Sequence, residues 1–217
     1  MKTYALVIGI AALTLGCGGS GSNSGGGVSQ TSDLQADFST AANPNGSWTY
    51  GQTTTLGSLT PYDDSSEVAV KYSADPGVVG WDTTGADYPL VAKNTSASGT
   101  YFGGWNPGDV YLSGYSGGLS SVARWTDKVA GSHSFSIKGT FRRLENVSAD
   151  PSKYWVLVNG STVSSGDLVD LNAEATYQAT LTLSQGDTVD FVVGNDGTNW
   201  GGTGLILSAT IQTPPTA

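Results

Sequence analysis

A single cysteine in 217 residues excludes any intramolecular disulfide. If the chain is exported, its fold must therefore rest on a hydrophobic core alone. One histidine beside that one cysteine leaves no ordinary zinc-ligand set. No HExxH motif is present, so the common metalloprotease signature is missing. Basic side chains are scarce, with 9 Lys and Arg against 18 Asp and Glu. A surface this acidic argues against electrostatic binding of nucleic acid or anionic lipid. No window carries a helical apolar stripe, which points away from all-α and α/β folds.

The cysteine that is present sits at an informative place. Lys2 gives a positive start, Ala5 to Leu15 is an apolar run broken by Gly9 and Thr14, and Gly16 precedes Cys17. The run is too short to span a bilayer as a helix and reads as a cleaved signal. Leu13-Thr14-Leu15-Gly16-Cys17 resembles a bacterial lipobox, with Thr14 standing where Leu is favoured. Residues 1–16 are thus expected to leave and Cys17 to become a lipidated N-terminus, anchored through acyl chains worth about 0.8 kcal/mol per buried CH₂. The other reading is ordinary secretion with cleavage elsewhere. Losing Lys2 takes the formal net charge from −9 to −10. Gly18 rather than Asp after the cysteine favours outer-membrane or cell-surface placement in a Gram-negative host. Residues 17–32 then form a Gly/Ser tether that buries too little to order itself. The folded domain is expected over 33–212, with 213–217 a short tail.

That domain reads as all-β. Tyr177, Ala179, Leu181 and Leu183 alternate with polar residues, as do Val189, Phe191 and Val193, and Phe135, Ile137 and Phe141. Leu205, Leu207, Ala209 and Ile211 repeat the pattern, a period of two that turns one face to a core. Val156 to Val158 followed by Asn159-Gly160 is a hairpin signal. Abundant Gly, Ser and Thr suit tight turns, so the fold class is an antiparallel two-sheet β-sandwich, jelly-roll-like, in a single domain. The first half is less legible. Asp37-Phe38 is expected to open the first strand, Asn43 to Gly46 to turn, and Glu67 to Tyr72 to form another strand. Asp75 to Ser120 reads mostly as loop.

Four stretches carry a family resemblance: Ala36–Gly51, Ser120–Phe141, Trp155–Gly160 and Leu181–Gly194. Together they resemble a β-sandwich domain of secreted bacterial proteins, many of which carry a PEP-CTERM sorting tail. That domain in turn resembles the jelly rolls of carbohydrate-binding modules. The resemblance implies a sandwich fold and no definite activity. This chain has no such tail, so lipidation would replace it, and Gly202 stands where relatives place Asp before Thr203-Gly204.

Candidate chemistry is limited. His133 lies at a strand start, and the carboxylate sets Asp63/Asp64/Glu67, Asp167/Asp170 and Asp187/Asp190 all fall at turns, where Asp caps backbone groups without catalysis. A glycosidase would need two carboxyls facing across a cleft. No organic cofactor is called for. A structural Ca²⁺ is the one candidate metal, at Asp63, Asp64 and Glu67 or at Asn195, Asp196 and Asn199. Four Asn-x-Ser/Thr sequons, at Asn45, Asn94, Asn146 and Asn159, are expected by chance in this composition.

Aromatics are the most informative set. Six Trp and ten Tyr exceed five Phe, a bias toward rings with a polar edge, which suit surfaces that are half apolar and half wet. Trp48 and Trp125 lie in strand motifs and are expected in the core. Trp81, Tyr101, Trp105, Tyr111, Tyr115 and Trp200 lie among Gly, Asn and Asp, where they could stack on sugar rings with Asn106, Asp109 and Asn199 as hydrogen-bond partners. They could equally plug satellite cores under the loops. The leading expectation is a non-catalytic envelope lipoprotein that binds polysaccharide, with the membrane as its other partner and no nucleic acid. The alternatives are a structural or adhesive envelope protein that binds another protein, and a glycan-active hydrolase.

Overall fold

In β8 (Ser132–Arg143) Phe135, Ile137 and Phe141 point inward while Ser134, Ser136, Lys138 and Thr140 point out, so alternation sets the strand. The same rule forms β11 (Glu174–Ser184), β12 (Thr188–Gly194) and β13 (Leu205–Gln212). β9 (Ser152–Val158) and β10 (Ser161–Leu168) are joined by Asn159-Gly160, both at positive φ (49° and 77°), which is the backbone a two-residue hairpin requires. The computed structural model describes residues 31–71, 77–86, 88–97, 105–144, 151–194 and 204–213.

The remaining elements are short. They are β1 (Thr31–Asp33), α1 (Leu34–Asp37), β2 (Trp48–Thr53), β3 (Thr60–Pro61), α2 (Glu67–Lys71), β4 (Val78–Trp81), β5 (Leu90–Asn94), β6 (Val110–Ser113) and β7 (Ser120–Thr126). All pairing is antiparallel, in two sheets. The first runs β11-β8-β13-β6-β5-β4 with β1 against the end of β13, and the second runs β10-β9-β12-β7-β2-β3. Within these, β6 to β13 alone give the orders 6-13-8-11 and 7-12-9-10. The chain crosses between sheets at nearly every step, the nested Greek-key path of a jelly roll. Earlier strands widen both sheets.

The main core lies between the sheets and holds Trp48, Trp125, Phe135, Phe141 and Phe191, as the strand motifs lead one to expect for the two tryptophans. Each such side chain contributes about 1.5–3 kcal/mol through burial. Two satellite cores cover outer faces. One gathers Val68, Leu90, Trp105, Tyr111 and Ile206, and the other Val122, Leu157 and Val192 with Leu59 and Trp155 packed on it.

Four expectations need correction. Thr31 and Ser32, expected in the tether, pair with Gln212 and Ile211 as part of β1. Asp37 closes a helical turn instead of opening a strand, because the Asp33 carboxylate accepts from Ala36 N and the Asp37 carboxylate accepts from Asp33 N, each at 3.0 Å. Glu67–Lys71 is one turn of helix. Five residues are too few for alternation to distinguish a strand from a helical turn. Asp75 to Ser120 contains three strands, β4, β5 and β6. They escape a pattern search because they are buried on both faces: Leu90, Val91 and Ala92 are all fully buried, with core on one side and satellite core on the other.

Candidate functional site

Three of the expected loop aromatics are core residues. Trp81, Trp105 and Tyr111 keep 7%, 1% and 3% of their surface. The Trp81 indole donates to Ser39 O (2.7 Å), and that of Trp105 to Asp109 O (3.0 Å), while the Trp105 and Tyr111 rings pack at 5.3 Å. Rings enclosed in this way have no face left for a sugar. Asn106 and Asp109 build the turn that seats Trp105: Asp109 accepts from Asn106 N and from Arg142 Nη2, each at 2.9 Å. This turn lies at the far end of β6 from Tyr115, so the expected set does not form one platform. Tyr101, Asn195, Asp196, Asn199 and Trp200 lie outside the described residues, as does Cys17.

Tyr115 is placed differently. Its half-buried ring stacks on that of Tyr88 (6.3 Å, 16°), just beyond the Leu90–Ser113 pair of β5 and β6. The adjoining Gly114 packs on Gly194 so closely that a Cβ on Gly114 would lie 2.6 Å from the Gly194 Cα. Gly194 in turn leaves no room for a side chain, because Ser120 fills that space and Trp155 borders it at 3.4 Å. The two buried glycines thus abut at one end of the sandwich, while Tyr88 packs on the satellite core of the first sheet and Trp155 on that of the second. Trp155 is half-buried on the outer face of its sheet, between Ser165 and Val192 in register, and one row from the Lys153–Asp167 ion pair (3.2 Å).

Sequence reasoning overlooked both Tyr88 and Trp155. The one visible signal for Trp155 is that β9 is apolar on both faces, with Tyr154 and Val156 inward and Trp155 and Leu157 outward. Beneath this end, the buried Ser121 hydroxyl reaches Ser113 O (2.6 Å), Leu90 O (2.9 Å) and Tyr62 Oη (2.9 Å), which ties the two sheets together. Burial pushes the Tyr62 hydroxyl well above the usual tyrosine range, and does the same to Tyr50.

Acidic residues sort into roles. Asp190 forms a two-pronged pair with Arg124 (2.6 and 2.7 Å), which raises the guanidinium pKa further. Asp187 accepts from Ser184 N in the turn before β12, and His133 meets Ala130 O. Asp64, Glu67 and Asp82 place carboxylate oxygens within 4.8 Å of one another, with Asp82 fully buried. Asp64 and Glu67 of the expected trio lie in this group, with Asp82 and not Asp63 beside them. Asp63 turns away to accept from Thr84 N (3.0 Å), while an antiparallel bridge carries Asp82 to Asp64. Three hard oxygen donors at this spacing fit a divalent cation of the Ca²⁺ kind, which would draw its remaining ligands from backbone or water.

No protein-family model matches this chain, and no curated protein does. Among solved structures it is similar to a family 35 carbohydrate binding module from Clostridium thermocellum. The identity is 13% over 62% of this chain and 87% of that one, with a TM-score of 0.30. It is similar to the C-terminal CBM6 of LamC, a marine laminarinase from Zobellia galactanivorans (11% identity, 48% of this chain and 80% of that one, TM-score 0.28). A third is the enzymatically active domain of tailspike protein 4 of bacteriophage CBA120 (12% identity, 76% of this chain and 19% of that one, TM-score 0.32). Likenesses this distant say nothing of what the chain binds, and the jelly roll stands on its own strand pairing.

Proposed function

We propose that the chain is a non-catalytic carbohydrate-binding domain held on a bacterial cell envelope by lipidated Cys17. The observation that supports this is a set of half-buried rings, the stacked Tyr88–Tyr115 pair beyond the β5–β6 end of the first sheet and Trp155 on the outer face of the second. Rings fixed on strand ends offer contact area at little entropic cost, and pyranose C–H faces stack on them. The Ser165 hydroxyl and the Lys153–Asp167 pair stand close enough on the same face to orient sugar hydroxyls. Asp187 and Asp190 already serve a turn and an ion pair, so neither of these two stands free as a catalytic acid or base.

The test is a glycan array and affinity electrophoresis on the full-length chain, wild type against Tyr115→Ala/Trp155→Ala. The double variant should lose at least tenfold in affinity with its melting temperature within a few degrees of wild type. A folded wild type that retains no glycan would overturn the reading.

The same proposal places a structural Ca²⁺ on Asp64, Glu67 and Asp82. Added CaCl₂ at millimolar concentration should raise the melting temperature by several degrees, the linkage effect of a ligand held only by the folded state. Asp82→Asn should abolish that rise. An equal rise in the variant would remove the ion from these residues.

A further inference from the structure

The open side of the sandwich, where β10 and β11 end their sheets, has the chemistry of a strand-pairing surface. β11 pairs with β8 through all eleven residues without a register shift, and its other edge has no strand partner among the described residues. Edge strands are ordinarily blunted by a bulge, a proline or a lysine. β10 has such a guard, the register shift between Thr162 and Ser164. β11 has none: from Ala175 to Leu183 it reads Ala-Thr-Tyr-Gln-Ala-Thr-Leu-Thr-Leu, with no charge, proline or glycine. Its inward side chains Ala175, Tyr177, Ala179 and Leu181 stay half-exposed. Exposed apolar surface collects on the same side, with Val163 in β10 at 47%, and Val169 and Leu171 in the β10–β11 connection at 53% and 51%.

We infer that β11 is an interface for a second copy of this chain, paired antiparallel about Ala179 to join the two seven-stranded sheets. The strand is complementary to itself in that register. On the outer face Thr176 meets Thr182 and Gln178 meets Thr180; on the inner face Tyr177 meets Leu181 and Ala175 meets Leu183. Thr–Thr and aromatic–aliphatic neighbours are favourable cross-strand pairs. The single charge, Glu174, falls opposite Ser184 of the second copy. The two Glu174 side chains then lie about 34 Å apart, several Debye lengths at physiological salt. A register shifted by several residues toward the start of the strand would bring them together.

Sedimentation of the full-length chain carrying Cys17→Ala tests this. It should show a concentration-dependent dimer that Gln178→Lys/Thr180→Lys weakens at least tenfold, since both positions are exposed and the register sets four ammonium groups close together. An Ala179→Cys variant should form an intermolecular disulfide on oxidation, because residues directly opposite in antiparallel strands have Cα atoms about 4.5–5.5 Å apart. Thr176→Cys should not. A chain that stays monomeric at millimolar concentration, a dimer indifferent to the lysines, or equal cross-linking at 176 and 179 would each overturn the assignment.

Discussion

Tyr62 and Tyr50 show how a single buried hydroxyl becomes a pH response. Both are buried, and burial raises both pKa values. Tyrosines in the unfolded chain ionise near pH 10. Below that, both states hold the proton and the groups add no pH dependence. Above it, the unfolded chain loses protons that the folded chain keeps, so stability falls as pH rises, by up to about 1.4 kcal/mol per unit for each such tyrosine. Tyr50→Phe/Tyr62→Phe should therefore melt with a visibly shallower decline above about pH 10 than wild type, followed by circular dichroism. An unchanged slope would mean that other groups govern the alkaline limb. The two residues differ at neutral pH. Tyr62 Oη bonds with Ser121 at 2.9 Å, so its loss should cost about 1 kcal/mol, whereas Tyr50 Oη has no hydrogen-bond partner among the described residues and its removal should be neutral or stabilising.

At the scale of elements, the middle of β8 sets the spacing of the sheets. Gly139 faces Phe191 so closely that an added Cβ would collide with the ring, and its own strand pairs on both sides, to Tyr177 and Ala209. Gly139→Ala should destabilise by about 1–3 kcal/mol through overpacking, measured by denaturant midpoint. A companion Phe191→Leu should recover part of the loss, and an additive double variant would show that the collision is not the cause. β8, β11 and β13 were legible because polar residues on one face of each meet water, which keeps a period of two in the sequence; β12, buried on both faces, kept it through Thr188 and the ion-paired Asp190. β4, β5 and β6 were not, because a strand covered on both sides has no polar positions to alternate with. The same geometry hid the fate of the loop aromatics. Trp105 sits among Gly, Asn and Pro in sequence, yet the Asn106–Asp109 turn folds it onto the satellite core. Neighbours along the chain reveal that a segment turns, not whether a ring within it ends inside. Asp82 was missed because its partners Asp64 and Glu67 lie 15 or more residues away, joined to it only by strand pairing.

For the whole molecule, direction matters. β13 runs from Leu205, beside the Tyr115 end, to Gln212, which pairs with Thr31 where the tether joins. Eight residues of strand, about 27 Å, thus separate the aromatic end from the tether. With Cys17 lipidated, the rings would face away from the membrane, and the thirteen residues 18–30 could hold the domain up to about 45 Å above it.

That polarity constrains the dimer as well. Antiparallel pairing of β11 reverses one domain against the other, so the two tethers leave from opposite ends. The arrangement suits copies anchored in two facing membranes better than neighbours in one. Both anchoring and pairing can then be read in one experiment. Vesicles bearing the lipidated chain should cluster, as measured by light scattering, and soluble Cys17→Ala chain in excess should disperse them by occupying β11. Gln178→Lys/Thr180→Lys should stay on the vesicles without clustering them, while Cys17→Ala alone should neither incorporate labelled palmitate nor bind. Raising salt should strengthen clustering, because it screens two surfaces of net charge −10 while leaving backbone pairing intact. If the lysine variant clusters as well as wild type, contact between vesicles runs through another face, and the reversal of β11 has no part in it.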